Sequence, residues 1–249
     1  MRVLIDLIST KNAAYDMSYY SKLQGFVYKL IINSPFSVLH NKKGYKFFCF
    51  SNIFPIGSFR EGDKRHLLIS SPNPDFIRVV CEQLSIIKEE NKEIHIGELS
   101  FLIESFKIFD VKLNNNAKVI TATPIIIRIP KANYEKYGIK SDKEYVYWQP
   151  HYSFEPFLKQ LEDNMLKKYK EFYKEEVKTN IFEMFRFIKP TVNHVFINGT
   201  EVKLFGTLWE FTFTSLNHDQ KRKRVLQFAI DTGFGERNSL GFGFVNVVE

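Results

Sequence analysis

The sequence predicts an α+β protein built from two tandem copies of a βαββαβ unit. Three observations lead to this prediction. The chain has 249 residues, enough for two modules of roughly 110–125 residues each. The order strand, helix, strand, strand, helix, strand can be traced through the first half, and the same order recurs in the second. It is the ferredoxin-like pattern, and we place the modules at 1–116 and 117–249.

The first module begins with a strand over residues 1–9, because Val3, Ile5 and Leu7 alternate with other positions. A helix is predicted over 18–32, where apolar residues recur at three- and four-residue spacing. The remaining elements predicted for this module are strands at 46–54 and 66–70, a helix at 75–88 and a strand region at 94–113.

The second module begins with a β-branched strand at 118–129, and an amphipathic helix is predicted over 153–173. Apolar and polar residues alternate through 202–214, which indicates a half-buried strand. The other elements predicted here are a strand at 181–189, a turn at Asn198–Gly199, a helix at 217–230 and a last strand at 242–248.

The charge of the chain favours a polyanionic partner. The formal net charge is +7 and the pI is near 9.2. Residues before 117 contribute +3 and the rest contribute +4, so the excess is shared by both modules. This distribution is typical of a surface that meets a phosphate backbone rather than of a basic tail.

The cysteine content and hydropathy indicate a cytoplasmic protein. Two cysteines, Cys49 and Cys81, are too few for a disulfide scaffold or a four-thiolate zinc site. The first residues lack the features of a signal peptide, and no apolar run is long enough for a membrane span. We therefore expect a reducing compartment and no association with membranes.

Motifs for metals and nucleotide cofactors are lacking. The sequence has no His-Glu-x-x-His and no Cys-x-x-Cys, so we expect neither a metal site nor a cofactor. A dinucleotide fingerprint starting at Gly233 would need glycine at its sixth position, which is Asn238. It would also need a strand before and a helix after, whereas the predicted order is the reverse.

Glycines crowd near the C-terminal end of the sequence, at Gly233, Gly235, Gly241 and Gly243. A sequence keeps such crowding where the backbone must adopt positive φ or approach something closely. One interpretation is an exposed loop whose amides bind phosphate oxygens. The other is a plain hairpin-like connection with a bulge. The side chains expected to bind phosphate with the amides are Arg237, Asn238 and Ser239.

Two groups of basic residues are interpreted as solvated helix faces. The run Lys221–Arg224 opens the last predicted helix, and there the alternative is a surface that follows an RNA strand. The second group comprises Lys167, Lys168, Lys170 and Lys174.

A resemblance to a known family enters at the glycine-rich segment. Residues 233–243, GFGERNSLGFG, resemble the C-terminal motif of the CRISPR-associated endoribonucleases that process precursor crRNA, in the RAMP superfamily. Residues 23–31, LQGFVYKLI, and 39–51, LHNKKGYKFFCFS, are similar to that family's first helix and catalytic loop. The middle of the chain contributes little to the resemblance.

The resemblance implies metal-independent cleavage of RNA. In such a reaction the ribose 2′-hydroxyl attacks the adjacent phosphate and leaves a 2′,3′-cyclic phosphate and a 5′-hydroxyl. Tyr28, His40 and Lys46 match the family's catalytic triad. His40 would act as general base or acid, Lys46 would hold the phosphate charge, and Tyr28 would position the nucleophile or phosphate. Substitutes for the supporting roles are Lys29, Lys42, Lys43 and Tyr45, of which Lys43 and Tyr45 are also expected to bind RNA.

The implied partner is CRISPR repeat RNA within precursor crRNA. Further partners left open are subunits of a CRISPR effector complex and a second copy of the chain. The alternative function, from another class, is a non-catalytic RNA-binding RAMP subunit of an effector complex.

Overall fold

A computed structural model describes residues 1–197 and 199–248, and these divide into two compact units. The first unit comprises Met1–Val111 with two short segments, His194–Val202 and Ser239–Gly241, and the second comprises Lys112–Asn193, Lys203–Asn238 and the described residues from 242 onward. The division of the chain into modules at 1–116 and 117–249 stays a prediction, and the longest continuous segment of the first unit is Met1–Val111. The predicted turn at Asn198–Gly199 lies partly outside the described residues.

The first unit is one antiparallel sheet with two helices. Its strands are β1 (Arg2–Ser9), β2 (Cys49–Phe50), β3 (Lys64–Ser70), β4 (Ile94–Ile96) and β5 (Leu99–Phe109), and its helices are α1 (Tyr19–Ile31) and α2 (Pro74–Glu89). The strands lie in the order β2-β3-β1-β5-β4, with β1 paired to β3 and β5. This is the predicted ferredoxin-like order, with β4 added at one edge.

The core of the first unit lies between its sheet and its helices. Val3, Ile5 and Leu7 of β1 are buried, as their alternation predicts. Helix α1 buries Tyr19, Leu23, Phe26, Val27, Leu30 and Ile31. Because these positions share one helix face, α1 covers the sheet with its apolar side and leaves its polar side outside.

The second unit repeats this architecture. Its sheet contains β6 (Ala117–Thr121), β9 (Met184–Ile197), β10 (Thr200–Phe213) and β11 (Val245–Val248), and its helices are α3 (Phe154–Tyr173) and α4 (Gln220–Thr232). The order β11-β6-β10-β9 is again ferredoxin-like, so the predicted fold class is confirmed in both units. Among the described residues, no helix is long and apolar enough to cross a bilayer.

Aromatic residues form much of the second core. Trp209 is fully buried, and its ring stacks on Phe157 with centroids 4.3 Å apart. The indole N–H of Trp209 donates to Thr207 Oγ1 at 2.7 Å. The polar end of this large side chain is therefore satisfied inside the core.

One hairpin of the second unit was not predicted. Strands β7 (Arg128–Pro130) and β8 (Tyr145–Tyr147) form a separate two-stranded sheet. The predicted strand 118–129 is therefore wrong as a single element, since β6 ends at Thr121. Pro124 follows shortly and has no N–H to donate to a sheet.

Two strand predictions in the first unit were too long. Of residues 46–54, Cys49–Phe50 alone form a strand, because Phe47 takes a left-handed φ of 54° just before it. Residues 94–113 contain two strands, β4 and β5, which turn at Gly97. That glycine has φ of +61°, and a Cβ there would lie 2.7 Å from Asp16 Oδ2.

Strand β9 lies at the edge of the second sheet and exposes several apolar side chains. These are Met184, Phe185, Ile188 and Val192. Pro190 lies within the strand.

The structure corrects the interpretation of Lys221–Arg224 at one position. Arg222 is buried, and its guanidinium bonds the Ile181 carbonyl at 3.0 Å and the Glu183 carboxylate. The hydrogen bond from Arg222 is the main cause that holds the pKa of Glu183 below its usual value. Lys221 is exposed, as predicted. A run of four cations therefore contains one that anchors α4 to the core.

Arg222→Ala is expected to lower the free energy of unfolding by roughly 2–3 kcal/mol, because the Ile181 carbonyl loses its side-chain donor and the Glu183 carboxylate, which keeps its hydrogen bonds from Thr214, loses its cation. The matched change Lys221→Ala should stay within about 0.5 kcal/mol of the parent chain. Urea denaturation of both variants measures these values. Equal losses would contradict the distinction between the two cations.

The ion pair of Arg222 and Glu183 also predicts that the stability of the fold depends on pH. Because the pKa of Glu183 is lowered in the folded state, the contribution of the pair is present above the ordinary glutamate pKa and is lost as the pH falls through the lowered value. The stability difference between the parent chain and Arg222→Ala should therefore narrow in acid. A gap that widens in acid would contradict this assignment.

Candidate active site and glycine-rich segment

The three predicted catalytic residues come from consecutive pieces of the first unit. Tyr28 lies on the last turns of α1, and a short 3-10 helix, Pro35–His40, follows and ends at His40. Ser34 begins this helix, since its hydroxyl accepts from the Phe36 N–H at 3.1 Å. Lys46 lies in the segment that leads to β2.

The structure brings these three residues together. The Lys46 ammonium donates to the Tyr28 hydroxyl oxygen at 2.6 Å and to the His40 carbonyl oxygen at 3.1 Å. The rings of Tyr28 and His40 meet edge to face with centroids 5.0 Å apart. His40 is exposed, and its Nδ1 lies 2.9 Å from Asn41 Oδ1. The cluster therefore places an imidazole, an ammonium and a phenol side by side at the surface of the unit.

Burial shifts the pKa values of Tyr28 and Lys46 in opposite directions. It raises the pKa of Tyr28, although a hydrogen bond with the Ser239 side chain opposes the rise. It lowers the pKa of Lys46 from the usual lysine value. At neutral pH the phenol is thus protonated and can donate a proton or a hydrogen bond.

Residues 239–241 of the glycine-rich segment belong to the same unit as this cluster. The Ser239 carbonyl accepts from Gln24 Nε2 at 2.6 Å. Gly241 has φ of +89°, and a Cβ there would lie 2.7 Å from the Phe50 ring. These contacts fix Ser239 beside the hydroxyl of Tyr28.

Sequence reasoning missed Gln24 as a supporting residue. Gln24 and Tyr28 are four positions apart on α1 and therefore share one helix face. Both bond Ser239, Gln24 through the carbonyl and Tyr28 through the side chain. The four-residue spacing was the signal available in the sequence.

Most of the glycine-rich segment is buried, which contradicts the expected exposed loop. Gly233, Gly235, Gly241 and Gly243 are all buried. A Cβ on Gly235 would lie 2.7 Å from the Ile126 carbonyl oxygen, and one on Gly243 would overlap the Phe234 carbonyl oxygen. These glycines therefore allow close backbone packing rather than present amides to solvent.

Asn238 is also turned inward. Its Nδ2 donates to the carbonyls of Phe234 at 3.1 Å and Phe242 at 2.9 Å. Its Oδ1 accepts from Lys168 Nζ at 2.6 Å. Its side chain thus ties the segment to itself, which leaves Arg237 exposed and Ser239 half-exposed among the predicted phosphate-binding side chains.

Lys168 corrects a second prediction. It is 3% exposed rather than part of a solvated helix face, and its ammonium also donates to the carbonyls of Gly233 at 3.0 Å and Gly235 at 2.6 Å. Three oxygens of one segment thus converge on this cation. Periodicity gives only a weak indication that Lys168 is buried. Leu161, Met165 and Lys168 recur on one face of α3, and that face is buried.

The remaining predicted residues lie on the loop around Lys46 and on α1. Lys43 is exposed and Tyr45 is half-buried, with its ring 6.2 Å from that of Phe47. Lys29 is exposed at the end of α1, and Lys42 Nζ lies 5.0 Å from the Phe47 ring centroid.

A second histidine is held by a carboxylate in the first unit. His66 Nδ1 lies 2.7 Å from Asp6 Oδ1, and the Ser105 hydroxyl donates to Asp6 Oδ2 at 2.5 Å. Burial raises the pKa of Asp6, but the hydrogen bonds with Ser105 and His66, together with nearby positive charge, outweigh it, and the pKa is lowered. Across residues 1–197 and 199–248, no three His, Cys, Asp or Glu side chains are arranged to hold a metal ion.

Comparison with known proteins identifies the family. Residues 107–247 match the family described as CRISPR associated protein Cas6, C-terminal. The chain is 34% identical to CRISPR-associated endoribonuclease Cas6 2 of Methanocaldococcus jannaschii, with all of both chains covered. The chain belongs to the Cas6 family. It is also 30% identical to CRISPR-associated endoribonuclease Cas6 of Haloferax mediterranei, over 100% of this chain and 94% of that one.

Solved structures agree with this membership of the Cas6 family. One described as CRISPR associated protein Cas6 superposes with a TM-score of 0.71 at 25% identity, covering 100% of this chain and 99% of the other. Another, described as a RAMP protein binding different RNA substrates, superposes with a TM-score of 0.74 at 24% identity, and both chains are covered completely. The second likeness concerns the fold alone.

The hydrogen bonds of Lys168 predict that replacing this lysine with an uncharged residue of similar length destabilises the fold. Lys168→Met should lower the free energy of unfolding by roughly 3 kcal/mol, because buried oxygens lose a charged donor. Lys167→Met, one residue away and exposed, is the matched control and should change stability by less than about 0.5 kcal/mol. Thermal and urea unfolding measure both. Indistinguishable stabilities would show that the Lys168 ammonium does not hold the segment.

Proposed function

We propose that this member of the Cas6 family is a metal-independent endoribonuclease that cleaves CRISPR repeat RNA in precursor crRNA. The observation that carries the proposal is the cluster of Tyr28, His40 and Lys46, joined by hydrogen bonds from the Lys46 ammonium. The relatives of this chain in Methanocaldococcus jannaschii and Haloferax mediterranei are named CRISPR-associated endoribonucleases, and these names support the proposed class of activity.

In the proposed reaction the ribose 2′-oxygen attacks the adjacent phosphorus, and the bond from phosphorus to the 5′-oxygen breaks. One group takes the 2′-hydroxyl proton, and another gives a proton to the leaving 5′-oxygen. The products are a 2′,3′-cyclic phosphate and a 5′-hydroxyl. Every oxygen in the products comes from the RNA, so the step requires neither water nor an external nucleophile.

Each residue of the cluster supports one part of this reaction. His40 is exposed, and its Nδ1 is adjacent to Asn41 Oδ1, so Nε2 is directed to exchange a proton with the substrate as general base or acid. Lys46 uses two of its three N–H donors on Tyr28 and His40, and the third would bind a phosphate oxygen as negative charge develops. The protonated phenol of Tyr28 would orient the nucleophile or the phosphate.

The proposed partner is the repeat RNA. Subunits of an effector complex and a second copy of the chain remain predictions, as does a cytoplasmic location. The net charge of +7 supports a polyanionic partner such as RNA.

His40→Ala is expected to lower the single-turnover cleavage rate by about 10²–10⁴-fold, the usual contribution of a positioned acid or base. Affinity for the RNA should change by less than about twofold. The assay uses a labelled CRISPR repeat RNA from the encoding genome, with EDTA present. His218→Ala, which removes another exposed histidine, is the matched control and should cleave at the parental rate.

The outcomes of this assay separate the two function classes. Binding without cleavage by the parent chain would contradict the endoribonuclease and favour a non-catalytic RNA-binding RAMP subunit. Cleavage that stops on adding EDTA would contradict metal independence. Parental rates in His40→Ala would remove His40 from the mechanism.

A single 2′-deoxy substitution at the nucleotide before the cut should abolish cleavage, because it removes the attacking oxygen. The same substitution one nucleotide further along is the matched control and should leave cleavage intact. Mass spectrometry of the products should find a 2′,3′-cyclic phosphate on the upstream fragment. Continued cleavage of the first RNA would overturn the proposed 2′-hydroxyl attack.

A further inference from the structure

A cleft of about 640 Å³ opens beside the β7–β8 hairpin, in a part of the chain that matched no motif. Every residue that lines it belongs to the second unit, whereas Tyr28, His40 and Lys46 belong to the first. Its volume is within the range of about 300–1,000 Å³ typical of ligand sites. The cleft is therefore a candidate binding site that the proposed cleavage chemistry does not use.

Aromatic rings form one wall of this cleft. Tyr145 and Tyr147 are two residues apart on β8, so both side chains lie on the same face of the hairpin. Their ring centroids are 5.6 Å apart, and Tyr147 lies 5.8 Å from Phe205 of β10. Tyr145 is 39% exposed. This series of rings has the composition of a stacking platform for nucleotide bases.

Lysines line the same cleft. Lys140, Lys143 and Lys203 are exposed there, and Glu144 is the one carboxylate among the lining residues. None of the three lysines forms an ion pair with any described residue of the chain. Their ammonium groups are therefore available to an external anion.

Two arginines lie near the aromatic wall, and one of them is paired within the chain. The Arg128 guanidinium lies over the Tyr145 ring at 4.8 Å and pairs with Glu236. Burial raises the pKa of Tyr147 to about 12, and the charges of Arg237 and Arg128 oppose that rise. Arg237, the exposed cation of the glycine-rich segment, is thus close enough to act electrostatically on the wall of the cleft.

We propose that this cleft, here called the hairpin cleft, binds a single-stranded stretch of the RNA substrate. Bases would stack on Tyr145, Tyr147 and Phe205, and phosphates would be held by the surrounding lysines. Alternating aromatic faces and cations match a single-stranded polynucleotide, which presents bases and phosphates in turn. The identity of that RNA as CRISPR repeat RNA rests on the proposed function. Binding here contributes to affinity and leaves the bond-breaking step unchanged.

The first experiment measures stacking. The repeat RNA carries the 2′-deoxy substitution that blocks cleavage, and fluorescence anisotropy gives its Kd. Tyr145→Ala should raise the Kd about tenfold, the effect of losing one stacked base. Tyr145→Phe keeps the ring and should stay within about twofold of the parent chain. The single-turnover rate of all-ribose RNA at saturating protein should be unchanged in both.

The second experiment measures phosphate contacts and uses exposed residues whose replacement leaves the fold intact. Replacing Lys140, Lys143 and Lys203 with alanine should reduce the slope of log Kd against log salt by about 2, from about 0.7 for each contact to a single strand. The matched control replaces Lys167, Lys178 and Lys189, which removes equal charge elsewhere on the second unit. Its slope should change by less than half as much.

Direct mapping completes the test. Repeat RNA containing 4-thiouridine is photocrosslinked to the parent chain, and crosslinked peptides should include residues 140–152. A Kd for Tyr145→Ala within twofold of the parent chain would overturn the proposal. So would equal salt slopes for the two lysine triples.

These readouts also separate this proposal from the proposed function. If the parent chain binds the RNA and does not cleave it, the proposed function fails, and the Kd values still decide the cleft. If it cleaves normally while all cleft variants bind as tightly as the parent, the hairpin cleft alone is wrong. Absence of RNA binding by the parent chain would overturn both.

Discussion

The C-terminal part of this Cas6-family chain depends on the hydrogen bonds that the buried ammonium of Lys168 donates. A lysine removed from water is stable only when its charge is compensated, and here the carbonyls of Gly233 and Gly235 and the amide of Asn238 supply the oxygens. Because all three belong to one short segment, the cation fixes a backbone whose glycines would otherwise be free to rotate. A motif that can be interpreted as an exposed loop is thus largely a buried part of the core.

The candidate active site is organised differently, because its residues are close in sequence. Tyr28, His40 and Lys46 lie within nineteen consecutive positions, on α1, a short 3-10 helix and the segment leading to β2. Local capping by Ser34 sets where His40 emerges, and the Lys46 ammonium links the other two. Ser239 and Gln24 then support Tyr28. The three candidate catalytic residues are therefore close in sequence, whereas Ser239, which helps to position Tyr28, comes from a distant part of the chain.

This difference explains what could be predicted from the sequence. The faces of β1 and α1 follow from periodicity, since Val3, Ile5 and Leu23 are buried where spacing places them. The fold class followed from the repeated order of elements. The β7–β8 hairpin was missed because its strands have three residues each, too few to establish a period. Lys168 and Arg222 were misjudged because a charge pattern does not reveal which member of a basic run finds buried acceptors.

Strand β9 carries a further consequence for the behaviour of the protein in concentrated solution. A long edge strand with exposed apolar residues can form backbone hydrogen bonds with a strand of another chain. Pro190 cannot contribute an amide hydrogen to such pairing, and the exposed Lys189 brings like charges together when two copies approach. Pro190 and Lys189 therefore disfavour the backbone pairing that this edge strand would otherwise offer to a second chain.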